Sequence, residues 1–130
     1  MDSNNQQTAT SAPLIDVKGL SAALTAFAAE RNWDQYHSPK NLAMALSGEV
    51  GELSEIFQWL TEEASKSAAT NPDTSTEVRD ELADVTLYLV RLASVLGVDL
   101  NEAVTQKLKK NAEKYPMDKA HGTHKKYDKL

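Results

Sequence analysis

The chain carries acidic side chains inside an apolar helical stripe at residues 48–59, which read Gly48-Glu49-Val50-Gly51-Glu52-Leu53-Ser54-Glu55-Ile56-Phe57-Gln58-Trp59. At about 100° per residue, the apolar side chains of this region fall within roughly 40° of one direction; they are Leu42, Leu46, Leu53, Ile56 and Leu60. Glu49 falls in the middle of this stripe, and Glu52 lies about 60° away at its edge. Two carboxylates are therefore expected to face the interior of a helical protein.

A second helical segment, residues 77–88, repeats this arrangement. Glu81 lies on a face that is otherwise made of apolar and aromatic residues, and Asp84 follows three residues later at the edge of that face; the other members are Val85, Tyr88, Leu92 and Val95. An ionised carboxylate that is buried without a partner costs several kcal/mol or more. Oxygen-only ligands suit hard ions, so the sequence predicts a Mg²⁺ site made by Glu49, Glu52, Glu81 and Asp84.

Two other interpretations of the acidic pairs stay open from the residues alone. One is that the carboxylates belong to the polar faces of ordinary amphipathic helices. The other is that they are held in salt bridges to Arg79, Arg91 or lysines in a helical oligomer without catalytic activity. This last alternative predicts no dependence on Mg²⁺.

Helical periodicity and capping residues predict an all-α fold, a bundle of four helices. The first helix is predicted from an N-cap at Asp16 to about Arg31, and the second from Ser38 and Pro39 to about Glu62. The third is predicted from a Thr74-x-x-Glu77 capping box to Gly97, and the fourth from Asp99-x-x-Glu102 to about Lys114. Residues 1–13 are predicted to be a disordered leader, 14–116 the helical domain, and 117–130 a basic polar tail.

Composition limits the classes of function. A chain of 130 residues makes one domain, and its net charge of −5 argues against binding a nucleic acid polymer. The chain contains no cysteine, no apolar run near the roughly 20 residues of a membrane span, and no signal-peptide pattern. These features predict a cytoplasmic protein without membrane contact.

The third helix is apolar on more than one face, which predicts an oligomer.

One face of the fourth helix carries polar side chains that suit an anionic ligand. Lys107, Asn111 and Lys114 lie within about 40° of one another, and an acidic metal centre in the same protein makes them candidates to bind phosphate groups. The alternative is a solvated face with no ligand.

The motifs resemble those of a known family. Glu49-x-x-Glu52, 28 intervening residues and Glu81-x-x-Asp84 resemble the metal-binding signature of the all-α nucleoside triphosphate pyrophosphatases, the MazG-like superfamily. Five stretches look like its dCTP pyrophosphatase branch. They are residues 28–42, residues 48–59, Val98-Asp99-Leu100, the run Lys107-x-x-x-Asn111-x-x-Lys114-Tyr115-Pro116, and Gly122-x-x-x-Lys126-Tyr127. The resemblance covers about residues 20 to 128.

This resemblance implies a tetrameric helical protein that uses Mg²⁺ to cleave a nucleoside triphosphate, dCTP or a modified relative, to the monophosphate and pyrophosphate. It implies metal binding by the two acidic pairs and proton transfer to Glu52 or Glu55. It also implies substrate binding by a set of aromatic, basic and amide side chains; they are Trp33, His37, Trp59, Tyr88, Lys107, Asn111, Lys114 and Lys126.

Two residues depart from the pattern of the branch. Leu24 stands where the mammalian form has a histidine that lines the base pocket, and Lys114 replaces an arginine. The first change predicts a softer preference for cytosine. The second retains the charge and loses bidentate geometry. A relative of the same fold that hydrolyses another triphosphate, such as a dUTP-like nucleotide or phosphoribosyl-ATP, is the main alternative.

Overall fold

The computed structural model describes residues 14–130, so the predicted leader at residues 1–13 lies outside the described residues. The part described contains six helices and no strand, which confirms the predicted all-α fold. The helices are α1 Lys18–Glu30, α2 Pro39–Phe57, α3 Glu62–Ser65, α4 Ser75–Leu96, α5 Leu100–Lys114 and α6 Met117–Ala120. Short 3-10 turns lie at Asp34–Tyr36 and Tyr127–Lys129. Among these helices there is none with the length and apolar character that crossing a membrane requires.

Helix α2 begins as the sequence predicts but ends earlier. The Ser38 hydroxyl accepts a hydrogen bond from the Asn41 N–H at 3.2 Å, and Pro39 occupies the first helical position. The prediction that this helix runs to about Glu62 is wrong, because α2 ends at Phe57. The Thr61 hydroxyl accepts from the Ala64 N–H at 3.0 Å and so starts the separate short helix α3.

The predicted N-cap at Asp16 is wrong, and the predicted capping box does not form at Thr74, although Thr74 is the N-cap residue of α4. Helix α1 begins after Val17, with no side-chain hydrogen bond at the cap, so Asp16 does not cap it. Thr74 precedes α4, but its hydroxyl donates to the Ala68 carbonyl at 2.6 Å instead of accepting from an N–H of the helix. The hydroxyl that the capping box requires is therefore bonded to a carbonyl outside the helix.

Helix α4 is the centre of the compact unit formed by residues 17–100. It packs against α2 most extensively and against α1 as well. Gly97 ends it with φ of +69°, a left-handed conformation that a residue without Cβ adopts at little cost. The buried apolar residues are Ala28, Leu42, Ala68, Val78, Val90 and Ala93. The packing of α2 on α4 places their two acidic motifs on neighbouring helices.

Among the described residues, a second compact unit comprises residues 14–16 and 101–130. Within it, the Ile15 N–H donates to the side-chain oxygen of Asn101 at 3.2 Å. The Tyr127 ring meets the Tyr115 ring edge-on at 6.3 Å, and the Lys114 ammonium lies 4.9 Å from the Tyr127 ring centroid. The C-terminal segment therefore contains helical turns and ring contacts. The domain boundary after residue 116 stays a prediction.

Candidate functional site

Three of the four predicted metal ligands lie together between α2 and α4. One carboxylate oxygen from each of Glu49, Glu52 and Glu81 lies within 4.8 Å of the other two. Glu49 and Glu81 are half-buried, and Glu52 is exposed. The i,i+3 spacing on α2 supplies two of these side chains, and the packing of α4 on α2 supplies the third.

Two oxygens of this carboxylate group lack hydrogen-bond partners. Glu49 Oε2 and Glu81 Oε2 are buried, and neither has a partner within the described part of the chain. An ionised carboxylate only accepts hydrogen bonds, so two such groups satisfy each other only through a proton or a cation. Since an unsatisfied buried acceptor is costly, this all-oxygen set fits a hard divalent cation.

The same geometry changes the acidity of Glu81. The neighbouring Glu49 carboxylate, burial and the Glu52 carboxylate, in that order of size, together raise the pKa of Glu81 from 4.5 to about 8. Because the folded-state pKa is the higher one, the proton stabilises the metal-free fold fully below about pH 4.5. That contribution is lost as the pH rises through about 8. A bound cation would replace the proton.

An open acidic cavity lies at this carboxylate group. It has a volume of about 360 Å³ and is lined by Glu52, Glu55, Ile56, Glu77 and Glu81. Glu55 lies here but outside the group of three whose oxygens converge. The sequence analysis named Glu77 only as part of a capping box and did not predict it as a site residue. Its place four residues before Glu81 puts it on the same side of α4.

A second cavity, apolar and aromatic, has a volume of about 160 Å³ and is lined by residues of α1, α2 and α4 and of the turn after α1. The residues that line it are Leu24, Phe27, Trp33, His37, Leu42, Asp84, Leu87, Tyr88 and Arg91. The Trp33 ring meets Phe27 edge-on at 5.6 Å and His37 at 6.3 Å. Three residues that the family resemblance implies for base binding, Trp33, His37 and Tyr88, therefore share one cavity.

Asp84 lies close to both the group of three carboxylates and the aromatic cavity. It lies one turn after Glu81 on α4 and lines the aromatic cavity, but it is not part of the group of three converging carboxylates. Its role as a metal ligand stays a prediction. Trp59 does not line the aromatic cavity, and it is 88% exposed just after the end of α2.

The predicted phosphate-binding residues belong to the 101–130 unit. Lys107 and Lys114 are exposed on α5, Asn111 is half-buried between them, and Lys126 precedes the last 3-10 turn. Their roles stay predictions.

Arg91 is the second residue that the sequence analysis did not place in the site. It follows Asp84 by seven residues, which puts both on one face of α4, and this spacing is the signal that could have identified it. Its guanidinium pairs with Asp34 at 2.8 Å. It therefore does not pair with the converging carboxylates, contrary to the salt-bridge alternative for Arg91.

Comparisons with known proteins agree on one family. The model of the MazG-like family matches residues 44–130. The chain is 44% identical over 117 residues to dCTP pyrophosphatase 1 of Bos taurus, an alignment that covers 90% of this chain and 68% of the relative. The human protein of the same name is also 44% identical, with 90% of this chain and 67% of the relative covered.

A solved structure supports the same relationship. The crystal structure of a pyrophosphatase from Archaeoglobus fulgidus superposes with a TM-score of 0.71 at 40% identity. The alignment covers 77% of this chain and 92% of the archaeal chain.

Proposed function

Because the chain belongs to the MazG-like family, we propose that it is a nucleoside triphosphate pyrophosphatase that acts on dCTP or a modified deoxycytidine triphosphate. The products are the monophosphate and pyrophosphate, and the role is to cleanse the nucleotide pool. The observation that carries this proposal is the group of three carboxylates with two unpaired buried oxygens, close along α4 to an aromatic cavity. Such a pair of sites suits a ligand with a polyphosphate and a base.

The cation is proposed to be Mg²⁺, held by Glu49, Glu52 and Glu81. Asp84, one turn further along α4, is the proposed fourth ligand. When bound, Mg²⁺ supplies positive charge that neutralises triphosphate oxygens and makes water a better nucleophile. Only a hard cation suits this set, since all the donor atoms are carboxylate oxygens.

Hydrolysis requires a base as well as a cation. Water attacks the α-phosphorus, its proton passes to a carboxylate, and pyrophosphate leaves. Glu52 and Glu55 are the two candidates, and both line the acidic cavity. We favour Glu55 as the base, because the Glu52 oxygen belongs to the group that would hold the cation.

The aromatic cavity is the proposed base pocket. Stacking on Trp33 or Tyr88 is worth about 1–3 kcal/mol per base but does not choose between bases. Leu24 lines this cavity and offers no hydrogen bond at a position where the family resemblance implies a histidine. We therefore expect a preference for deoxycytidine triphosphates that is softer than in the dedicated members of the branch. Trp59 is proposed as a further stacking residue.

The basic and amide side chains of the second unit are proposed to bind phosphate groups. Lys107 and Lys114 carry exposed positive charge on α5, and Asn111 adds an amide donor one turn from each. Lys126 is proposed to contribute in the same way.

A panel of nucleotides assayed for released pyrophosphate tests this function. With Mg²⁺ we expect the highest kcat/KM for dCTP and 5-modified dCTP, and with excess chelator no turnover. Equal kcat/KM for dCTP, dTTP, dATP and dGTP would remove the cytosine assignment. Turnover confined to dUTP or phosphoribosyl-ATP would identify a different substrate of the same fold. Pyrophosphate release that is independent of Mg²⁺ would contradict the proposed metal chemistry.

The chain is proposed to assemble into a homotetramer. Several large apolar side chains are exposed in the single chain, including Trp59 at 88%, Leu82 at 52% and Leu96 at 54%. Exposed apolar surface of this kind is commonly covered by another subunit. Light scattering at micromolar chain concentration is expected to give four times the mass of the chain. A monomeric mass would contradict the assembly.

A further inference from the structure

A buried arginine organises one wall of the aromatic cavity. Arg91 is only 8% exposed, and its guanidinium donates three hydrogen bonds to residues outside its own helix. Nη2 donates to Asp34 Oδ1 at 2.8 Å, Nη1 to Thr25 Oγ1 at 3.4 Å, and Nε to His37 Nδ1 at 3.1 Å. The planar guanidinium holds these three partners in a fixed relation.

The contact with His37 determines where the imidazole carries its proton. An arginine side chain has only donors and does not lose its proton in proteins, so Nδ1 of His37 must accept the hydrogen bond. A ring with an unprotonated Nδ1 carries its proton on Nε2. Within the described part of the chain no hydrogen bond to Nε2 is present, which leaves this N–H available to a ligand in the cavity that His37 lines.

We propose that Arg91 is a positioning residue that holds His37 as the neutral, Nε2-protonated tautomer and so makes His37 a hydrogen-bond donor to the base. Asp84 lines the same cavity, and its carboxylate oxygen that does not hold the proposed cation accepts a hydrogen bond. The cavity thus offers one donor and one acceptor. This inference rests on the proposed function and names the base feature that its pocket selects.

The donor and acceptor fit the edge of cytosine. Cytosine has the amino group N4–H₂, which donates, beside the acceptors N3 and O2. Uracil and thymine have the acceptor O4 in place of the amino group and a donor at N3–H. With Arg91 in place, the Nε2–H of His37 is a donor for cytosine N3 or O2, and the Asp84 carboxylate is an acceptor for the cytosine amino group. In the same position uracil presents the oxygen O4 in place of that amino group, so it places an acceptor opposite the carboxylate. Without Arg91, the imidazole is free to present either an acceptor or a donor.

Nitrogen-15 NMR of histidine-labelled protein tests the tautomer without any assay of activity. The chain has three histidines, and the signals of His37 are identified by their loss in His37→Asn. At about pH 8 we expect the Nε2–H tautomer in the wild type, because the Arg91 guanidinium donates to Nδ1. An Nδ1–H tautomer or an imidazolium ring in the wild type would overturn the proposal, whatever the substrate proves to be.

Variants of the arginine extend the test. Arg91→Met removes the donors with a side chain of similar length and is expected to give a mixture of tautomers. Asp34, whose side chain is 61% exposed, pairs with the Arg91 guanidinium. Asp34→Asn removes its charge and is expected to shift the signals of His37 in the same direction as Arg91→Met does. Arg79→Gln, on the exposed side of the same helix, is the matched control and should leave the spectrum unchanged. An unchanged tautomer in Arg91→Met would overturn the positioning role.

Kinetics separates positioning from a purely structural role. Arg91→Lys keeps a positive charge but loses the guanidinium fork. We expect KM for dCTP to rise about tenfold with kcat nearly retained, and the ratio of kcat/KM between dCTP and dUTP to fall by a similar factor. Equal losses for both nucleotides would overturn the selective role. If the chain cleaves neither nucleotide, the proposed function fails, and the NMR result still decides the tautomer.

Discussion

Glu81→Gln is expected to lower kcat by about a thousandfold, equivalent to about 4 kcal/mol of transition-state stabilisation. Glutamine keeps the shape of the side chain and removes the charge that a divalent cation requires from the carboxylate group. Glu49→Gln is expected to act in the same way, because its Oε2 is the other buried oxygen without a partner. Turnover is measured by pyrophosphate release at saturating Mg²⁺ and saturating dCTP.

The thermal stability of the metal-free protein provides a second measurement on the same variant. The wild type binds a proton at Glu81 with a pKa of about 8, against 4.5 as the ordinary value, so its Tm should fall as the pH rises from about 5 to about 8. Glutamine does not titrate, so Glu81→Gln should lose most of this dependence. Its Tm near pH 8 is expected to equal or exceed that of the wild type, since repulsion between carboxylates is reduced.

Glu113→Gln is the control for these experiments. Glu113 is exposed on α5 and takes no part in the carboxylate group, so both turnover and the pH dependence of Tm should match the wild type. Wild-type turnover in Glu81→Gln at saturating Mg²⁺ would show that the carboxylate group is not the catalytic metal site.

Leu42→Ala is expected to reduce the free energy of unfolding by about 2–5 kcal/mol, the usual cost of removing a buried leucine side chain. Leu42 is 2% exposed and is the largest fully buried side chain of the described residues. It also forms part of the wall of the aromatic cavity, so truncation enlarges a space that is already present. Urea unfolding at one fixed chain concentration measures the change, because assembly makes stability depend on concentration.

Leu108→Ala makes the same chemical change on the surface. Leu108 is 54% exposed in the middle of α5, and its truncation should change the free energy of unfolding by less than about 0.5 kcal/mol. A cost below about 1 kcal/mol for Leu42→Ala, or equal costs for the two variants, would contradict the assignment of Leu42 to the core.

The sequence by itself determined the features that depend on neighbours along the chain. The helical period of apolar residues indicated an all-α protein, and Ser38 with Pro39 marked the start of α2 correctly. Gly97 marked the end of α4, because the left-handed conformation there favours a residue without Cβ. The i,i+3 spacing of Glu49 and Glu52 was visible for the same reason, since both lie on one side of one helix.

Only the tertiary structure decided which of these side chains meet across helices. The contact of Glu81 with the α2 carboxylates, and the position of Asp84 in the aromatic cavity, both depend on how α4 packs on α2. Arg91 belongs to the cavity because α1 and the turn after it bring Thr25, Asp34 and His37 to its guanidinium. The capping box at Thr74 did not form for the same reason, because its hydroxyl donates to the Ala68 carbonyl outside the helix. Periodicity tells which face of a helix a residue occupies, but the distance between two faces is set by the packing of whole side chains, which no local pattern contains.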